Sequence, residues 1–327
     1  MQKAIKIGIV GYGNLGKGVE KAIAQNPDME LEAIFTRRQP EQMVGAPGVR
    51  FEHISAAEQY IGIIDVMILC GGSATDLPEQ TPQMARMFNT VDSYDTHAKI
   101  PAFYDAVNAA AQEGGHLSII STGWDPGLFS LNRLLAEAIL PEGHNYTFWG
   151  KGVSQGHSDA IRRVPGVKAG VQYTIPVQAA IDRIRSGETP ELDTREKHVR
   201  QCFVVAEEGA NKDDIASAIV TMPNYFSDYD TTVAFITEDE LRANHSGMPH
   251  GGFVIRSGVT GEGTKQIVEF GLTLGSNPEF TSSVLVACAR AGYRMSRDGV
   301  KGAKTIFDLP IGYLSPKSAD QLRRELL

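Results

Sequence analysis

The chain is poor in the residues that staple small or metal-held folds. Its 327 residues include only three cysteines, Cys70, Cys202 and Cys288, far apart and without a CxxC pair. That excludes a disulfide framework and a zinc site of the usual spacing, leaves no metal expected, and suits a reducing compartment. A long basic run is also missing, and 39 acidic against 31 basic side chains give a formal charge of −8. Nucleic acid and anionic membrane surfaces are therefore poor partners, and small molecules or a second copy of the chain better ones. No apolar stretch has spanning length, since the most apolar, residues 61–70, is short and carries Asp65. A strand-like run begins within a few residues of Met1, leaving no room for a leader peptide, so a soluble cytoplasmic protein is expected. Internal repeats and low-complexity linkers are absent too.

What is present is concentrated early. Residues 5–10 form an apolar strand that runs directly into Gly11-Tyr12-Gly13-Asn14-Leu15-Gly16. In a βαβ nucleotide unit the first glycine permits the tight turn, the second lets the backbone approach a pyrophosphate, and the third allows the helix to pack on the strand. The negative charge then rests on N–H groups at the helix start. The next apolar run ends in Thr36-Arg37-Arg38, where an NAD-binding unit usually places Asp or Glu for the ribose 2′-hydroxyl. Two guanidiniums suit a 2′-phosphate instead, so the expected cofactor is NADP.

Length exceeds what one core usually serves, so two domains are expected. Strand-like runs at 5–10, 31–36, 66–70, 90–94 and 117–122 alternate with helical ones such as 81–89 and 101–113. This alternation predicts an α/β fold, a Rossmann-type doubly wound parallel sheet. From about Tyr146 the texture turns β-rich, with alternating patterns at 171–176, 198–206, 230–236, 252–259 and 266–274. A second α+β domain carrying a mixed or antiparallel sheet is predicted there. A helical stretch, 280–295, then returns toward the first sheet, and a polar helix, 318–326, closes the chain. The dinucleotide-binding domain is placed at 1–122 plus a returning part of about 278–327, and the substrate domain at about 123–277.

Loops after parallel strands line the ligand crevice. That puts Cys70-Gly71-Gly72-Ser73, Asp92-Ser93-Tyr94-Asp95 and Thr122-Gly123-Trp124-Asp125-Pro126-Gly127 on one rim. Asp95 and Asp125 there suit holding a substrate ammonium and managing its protons, although Asp after a strand also caps helices and spacing does not separate the two. Trp124 and Trp149, the only tryptophans, both flank glycine-bearing turns. Either serves as a wall that keeps water from a reacting carbon, or as plain core. Arg200 shares strand parity with His198, Cys202 and Val204, so it faces a domain interior, where an arginine wants a carboxylate. Thr174, His250 and Asn277 are candidate hydrogen-bonding companions for that carboxylate, each with an equally ordinary structural reading. The glycine- and hydroxyl-rich run 152–159 reads as a polar loop able to offer N–H groups to an anion. Cys70 ends a strand at the crevice but has no neighbouring His to activate it.

In these blocks, together with Cys70-Gly71-Gly72-Ser73-Ala74-Thr75, Phe148-Trp149-Gly150, Ser154-Gln155-Gly156-His157-Ser158-Asp159-Ala160, residues 200–205 and residues 247–252, the chain resembles the meso-diaminopimelate dehydrogenase family along essentially its whole length. The resemblance implies NADP-dependent, reversible oxidative deamination at the D-centre of meso-2,6-diaminopimelate, giving L-2-amino-6-oxopimelate and ammonia, in lysine and peptidoglycan precursor supply. It implies that Asp95 and Asp125 meet the D-centre amine, with Trp124, Trp149 and Phe148 shaping the pocket. Arg200, Thr174, His250 and Asn277 fall on the grip for the distal L-centre, and Gln155 and Gly156 on the loop near the D-centre carboxylate. Residues 11–16, 36–38 and 70–75 with Ser93 and Tyr94 fall on the cofactor site. A homodimer formed through the second domain is implied as well. Members tolerant of other D-amino acids resemble this chain but carry methionine where Gln155 stands, which implies the strict type. The rival readings are a cysteine-dependent semialdehyde dehydrogenase and an NADP(H) sensor that turns nothing over.

Overall fold

β1 (Ile5–Val10), the second half of β2 (Met29–Thr36) and β4 (Val66–Leu69) read as mainly apolar runs because helices cover both faces of their sheet. In the computed structural model, which describes residues 3–327, they join β3 (Phe51–His53), β5 (Asn89–Asp92), β6 (Leu117–Ile119) and a strand at Gly302–Lys304. Every pairing is parallel, in the order β6-β5-β4-β1-β2-β3 with Gly302–Lys304 beside β6. On one face Ile7, Ile9, Ile34, Ile68 and Ile119 pack with Val19 and Ile23 of α1 (Asn14–Ala24) and with Leu285, Cys288 and Ala289 of the helix Asn277–Arg297. On the other, Phe35, Met67, Leu69 and Ile120 pack with α2 (Leu77–Ala85) and α3 (Ile100–Gly114). Arg290, on the returning helix and 2% exposed, is held by both oxygens of Asp28 at 2.6 and 2.8 Å and by the Asn26 amide oxygen.

The chain divides into two compact units, Met1–Leu131 with Pro278–Leu327, and Asn132–Asn277. α4 (Leu128–Ile139) leads to the strands of the second: β7 (Gly143–Trp149), β8 (Gly152–Val153), β9 (Val167–Pro176), β10 (His198–Ala206), β11 (Asp230–Phe235), β12 (His250–Thr260) and β13 (Thr264–Leu274). One sheet is mixed, β11-β10-β9-β8, with only β10 and β11 parallel, and the other is antiparallel, β13-β12-β7.

Three local expectations shift. The run 152–159 is not a loop: after β8 it becomes α5 (Gln155–Arg162), whose Ala160 and Ile161 are buried. α2 starts earlier than the periodicity suggested, because Pro78 is tolerated in a first turn. β5 ends at Asp92 and β6 at Ile119, short of Tyr94 and Thr122, because the Asp92 side chain takes N–H groups that a longer ladder would use.

Candidate active site

In the first unit the strand order reverses between β1 and β4, which run parallel, and the loops leaving those two strands lie together. Gly11 donates its N–H to the Phe35 carbonyl at 2.8 Å, and Cys70 donates to the Val10 carbonyl at 2.8 Å. Gly11 sits at φ +91°, and a Cβ there would press on the Cys70 carbonyl at 3.2 Å. At Gly16 a Cβ would run into the Gly11 carbonyl oxygen, whereas at Gly13 it would meet open space. No side chain caps α1 at Gly13, and a helix start of this kind suits an anion. A cavity of about 300 Å³ opens there, lined by Gly11, Tyr12, Gly13, Thr36, Arg37, Arg38, Cys70, Gly71 and Gly72, and by Asp76 and Gln80, which motif reading missed. Arg38 donates to the Tyr12 carbonyl at 2.8 Å and through its N–H to Thr36 Oγ1 at 3.1 Å. Arg37 stays largely exposed beside Asp76 at 2.9 Å, and the other Asp76 oxygen accepts the Gly72 N–H at 2.8 Å. An open glycine cradle, an uncapped helix start and paired arginines fit NADP.

Not every motif residue lines that cavity. Asn14 and Leu15 open α1, and Leu15 packs partly on the core. Ala74 and Thr75 lie in the turn ahead of α2, closed by a bond from the Thr75 N–H to the Gly72 carbonyl. Tyr94 is buried with its ring stacked on Phe103, 4.0 Å between centroids, while Ser93 is half-buried beside it. Ser73 Oγ accepts the Asp95 N–H at 2.9 Å, so the loop after β4 touches the loop that bears the candidate acid.

Asp95 is exposed and Asp125 half-buried. Trp124, 8% exposed, packs edge-on against Phe129 at 5.2 Å. The turn between them is closed by bonds from the Leu128 N–H to the Gly123 carbonyl at 3.0 Å and from the Phe129 N–H to the Trp124 carbonyl at 2.8 Å. Gly127 is required there, because a Cβ at φ +130° would collide with Gly123.

In the second unit, β-sheet register does what sequence distance hides. Arg200 on β10 lies directly opposite Thr174 on β9, and its guanidinium donates to Thr174 Oγ1. Arg200 is only 7% exposed, lies 3.8 Å above the Tyr229 ring, and keeps its Nε buried without a partner. The groups acting on its charge are Tyr229 and Cys202, no carboxylate among them, and burial draws its pKa down. A buried cation left in this state calls for an anion. Gln172, opposite Cys202, leaves its amide oxygen buried and unpartnered as well. His157, His198 and His250 surround the arginine: burial, then the Arg200 charge, pushes His157 down to about 4 and His198 to about 3, and His250 is also lowered, chiefly by burial. All three stay neutral hydrogen-bonding groups near neutral pH. His250 packs against Gly152, and the Asn277 N–H donates to the Met248 carbonyl at 2.9 Å.

Trp149, 39% exposed, stacks its ring on His198 at 5.4 Å, and its backbone N–H donates to His198 Nε2 at 2.8 Å. Its neighbour Phe148 is fully buried with Ile181 and Ile255, so its ring supports β7 and presents no surface. Gln155 begins α5 and reaches Met248 Sδ at 3.0 Å, and Gly156 faces open space. Tyr229 and His198 are the site groups the motifs did not single out. Parity flagged His198, but Tyr229 reaches Arg200 from just ahead of β11, which no spacing announces. Among the described residues no cluster could hold a metal ion.

Comparison with known proteins follows the same lines. The model of the diaminopimelic acid dehydrogenase C-terminal domain matches residues 123–276. The chain is 68% identical, over 99% of each chain, to a meso-diaminopimelate D-dehydrogenase of Ureibacillus thermosphaericus. The Corynebacterium glutamicum DAP dehydrogenase in complex with DAP is 45% identical over 100% of both chains, with a TM-score of 0.91. An engineered D-amino acid dehydrogenase bound to NADP+ is 44% identical over 99% of this chain and 100% of that one, with a TM-score of 0.86. Agreement this extensive, reaching both ends of each chain, is that of common descent and not of fold alone: the chain belongs to the meso-diaminopimelate D-dehydrogenase family.

Proposed function

We propose that the protein oxidises the D-centre of meso-2,6-diaminopimelate, releasing L-2-amino-6-oxopimelate and ammonia, and runs the reaction in reverse as reductive amination. The observation that carries this is the buried, acid-free guanidinium of Arg200, which selects a ligand with a second anionic end. NADP+, when bound in the glycine cleft, supplies the hydride acceptor. The amine must be neutral when the Cα hydrogen leaves, so Asp95 and Asp125, directly or through a held water, take the ammonium proton. Water then hydrolyses the imine. Arg200, Thr174, His250 and Asn277 hold the L-centre and its carboxylate, which fixes which end reacts. Such recognition discriminates strongly because a ligand lacking the distal group leaves a buried charge unpaired. Trp124 and Trp149 wall the reacting carbon, and Gln155 and Gly156 lie near the D-centre carboxylate. Phe148 acts only by backing β7.

A thiol-based semialdehyde dehydrogenase finds no support here: burial pushes Cys70 well up, and Cys202 and Cys288 up to about 12, far from thiolate formation. Among the described residues no helix is long and apolar enough to cross a membrane. We place the protein in the cytoplasm, serving lysine and peptidoglycan precursor supply, as a homodimer. Leu134, Leu135 and Ile139, all exposed on α4, support the last point as an apolar stripe for a second copy.

The test is NADPH formation by purified protein with NADP+ and meso-diaminopimelate, beside the LL isomer and D-alanine. Turnover of the meso isomer alone is expected. Turnover of D-alanine would refute the strict anchor, and silence with all three would refute the function.

A further inference from the structure

Asp92, the last residue of β5, is fully buried and has no cation beside it. One carboxylate oxygen accepts the N–H of Tyr94 at 2.9 Å and the N–H of Ser121 at 2.9 Å, and the other accepts the Thr81 hydroxyl at 3.1 Å. Its backbone carbonyl accepts both the N–H and the hydroxyl of Thr122, at 2.9 and 3.0 Å. Every group bonded to the Asp92 carboxylate or carbonyl belongs to α2 or to one of two loops. The first loop continues from Tyr94 into Asp95, and the second from Ser121 and Thr122 into Trp124 and Asp125.

The second observation is independent. Ser121 is buried and sits at φ +54°, a left-handed conformation that side-chain-bearing residues seldom adopt. Its hydroxyl is buried with no partner, so the side chain gives nothing back for this backbone. What holds it is the N–H bond to Asp92, at the point where the β5–β6 ladder has stopped. Strain of this kind persists only where surroundings over-determine it, and it gathers at functional sites. A buried carboxylate without a counter-ion is itself costly, and desolvation raises this one to about 6 against three hydrogen bonds that lower it. Scaffolding alone would not call for both features at the ends of two adjacent strands.

We infer that Asp92 is a positioning residue for the amine oxidation: by gripping the Tyr94 and Ser121 N–H groups on one oxygen, it sets the loops that carry Asp95 and Asp125. The inference rests on the function proposed above and extends it to a residue that touches neither substrate nor cofactor. Its product is geometry, because proton management by two carboxylates fails when either is displaced by about an ångström, with a loss of about a hundredfold.

The test compares Asp92→Ala, Asp92→Asn, Ser121→Gly and the Asp92→Ala/Ser121→Gly double variant, reading kcat and KM with meso-diaminopimelate and NADPH binding separately. Wild-type turnover comes first, and its absence would defeat the functional reading and not this one. With wild type active, Asp92→Ala should lower kcat about a hundredfold with NADPH binding kept. Asp92→Asn should stay near wild type, since its amide oxygen still accepts both N–H groups and its NH2 can donate to the Thr81 hydroxyl. Glycine enters the left-handed region without help, so the double variant should regain part of what the alanine lost. Asp92→Ala at wild-type kcat, a loss that Asp92→Asn shares in full, or no recovery by Ser121→Gly would each overturn the inference. If Asp92→Ala does not fold, Ser121→Val and Ser121→Gly replace it: the β-branched residue should depress kcat and glycine should not, and equal rates would overturn the inference.

Discussion

A guanidinium can be buried beside three neutral histidines only if something else satisfies it, and at the residue scale this is the most informative fact of the molecule. Arg200 was predictable as inward-facing because strand parity is visible in sequence, and Thr174 was visible as a polar neighbour. Their pairing depends on register between β9 and β10, and the Tyr229 platform depends on a loop ahead of β11, neither of which leaves a local trace. Asp92 was invisible for a related reason: it stands in the same four-residue run as Asp95, and only burial tells the clamp from the exposed acid. Asp125→Asn keeps size and loses the basic oxygen, so kcat should fall by about a hundredfold or more while fluorescence titration shows NADPH binding nearly unchanged. Arg37, exposed at the mouth of the cofactor cavity with a surface pair to Asp76 that a phosphate can displace, is the guanidinium placed to meet a 2′-phosphate, whereas Arg38 is tied to the Tyr12 carbonyl. Arg37→Ala should therefore weaken NADPH by about tenfold or more and NADH hardly at all, and equal losses would place the 2′-phosphate elsewhere.

Elements were readable where length and burial on both faces left little choice. β1, β2 and β4 announced themselves by apolar runs, and the alternation with helices announced a parallel sheet. Short pieces did not: β3 has three residues and β8 two, too few for any period to show. α5 read as a loop because its first turn carries Gln155, Gly156, His157 and Ser158; what makes it a helix is the burial of Ala160 and Ile161 against β9 and β10, a tertiary effect. The strand–turn–helix element yields a paired prediction that separates its glycines. A methyl at Gly13 meets nothing in the protein but fills the approach to the phosphates, so Gly13→Ala should keep the melting temperature and lose NADPH affinity. A methyl at Gly16 strikes the Gly11 carbonyl oxygen, so Gly16→Ala should lower the melting temperature as well, with a cost of about 1–3 kcal/mol. Thermal melts with and without NADPH distinguish the two, and identical melts would mean that the turn gives way more easily than its packing indicates.

At the scale of the whole molecule the two units should answer acid differently. His157 and His198 titrate near 6.5 when unfolded but at about 4 and about 3 when folded, so the unfolded second unit binds protons that the folded one refuses. Their contribution is complete above pH 6.5 and is lost as pH falls from there toward 4 and 3, with on the order of 2 kcal/mol for each histidine gone by about pH 5. Asp92 in the first unit has the opposite sign: its folded value, about 6, lies above the ordinary 3.8, so its burden is relieved as pH falls through 6. Acidification from neutral to about pH 5 should therefore loosen β9 and β10 before β5 and β6, which amide hydrogen exchange resolves strand by strand. Because the Arg200 charge is part of what depresses the histidines, a bound carboxylate that neutralises it should raise their proton affinity and flatten the response. Adding meso-diaminopimelate should thus protect β9 and β10 more at pH 5 than at pH 8, relative to each pH without ligand. Equal protection at both would mean that no carboxylate reaches the arginine, and would remove the anchor on which the choice of the D-centre depends.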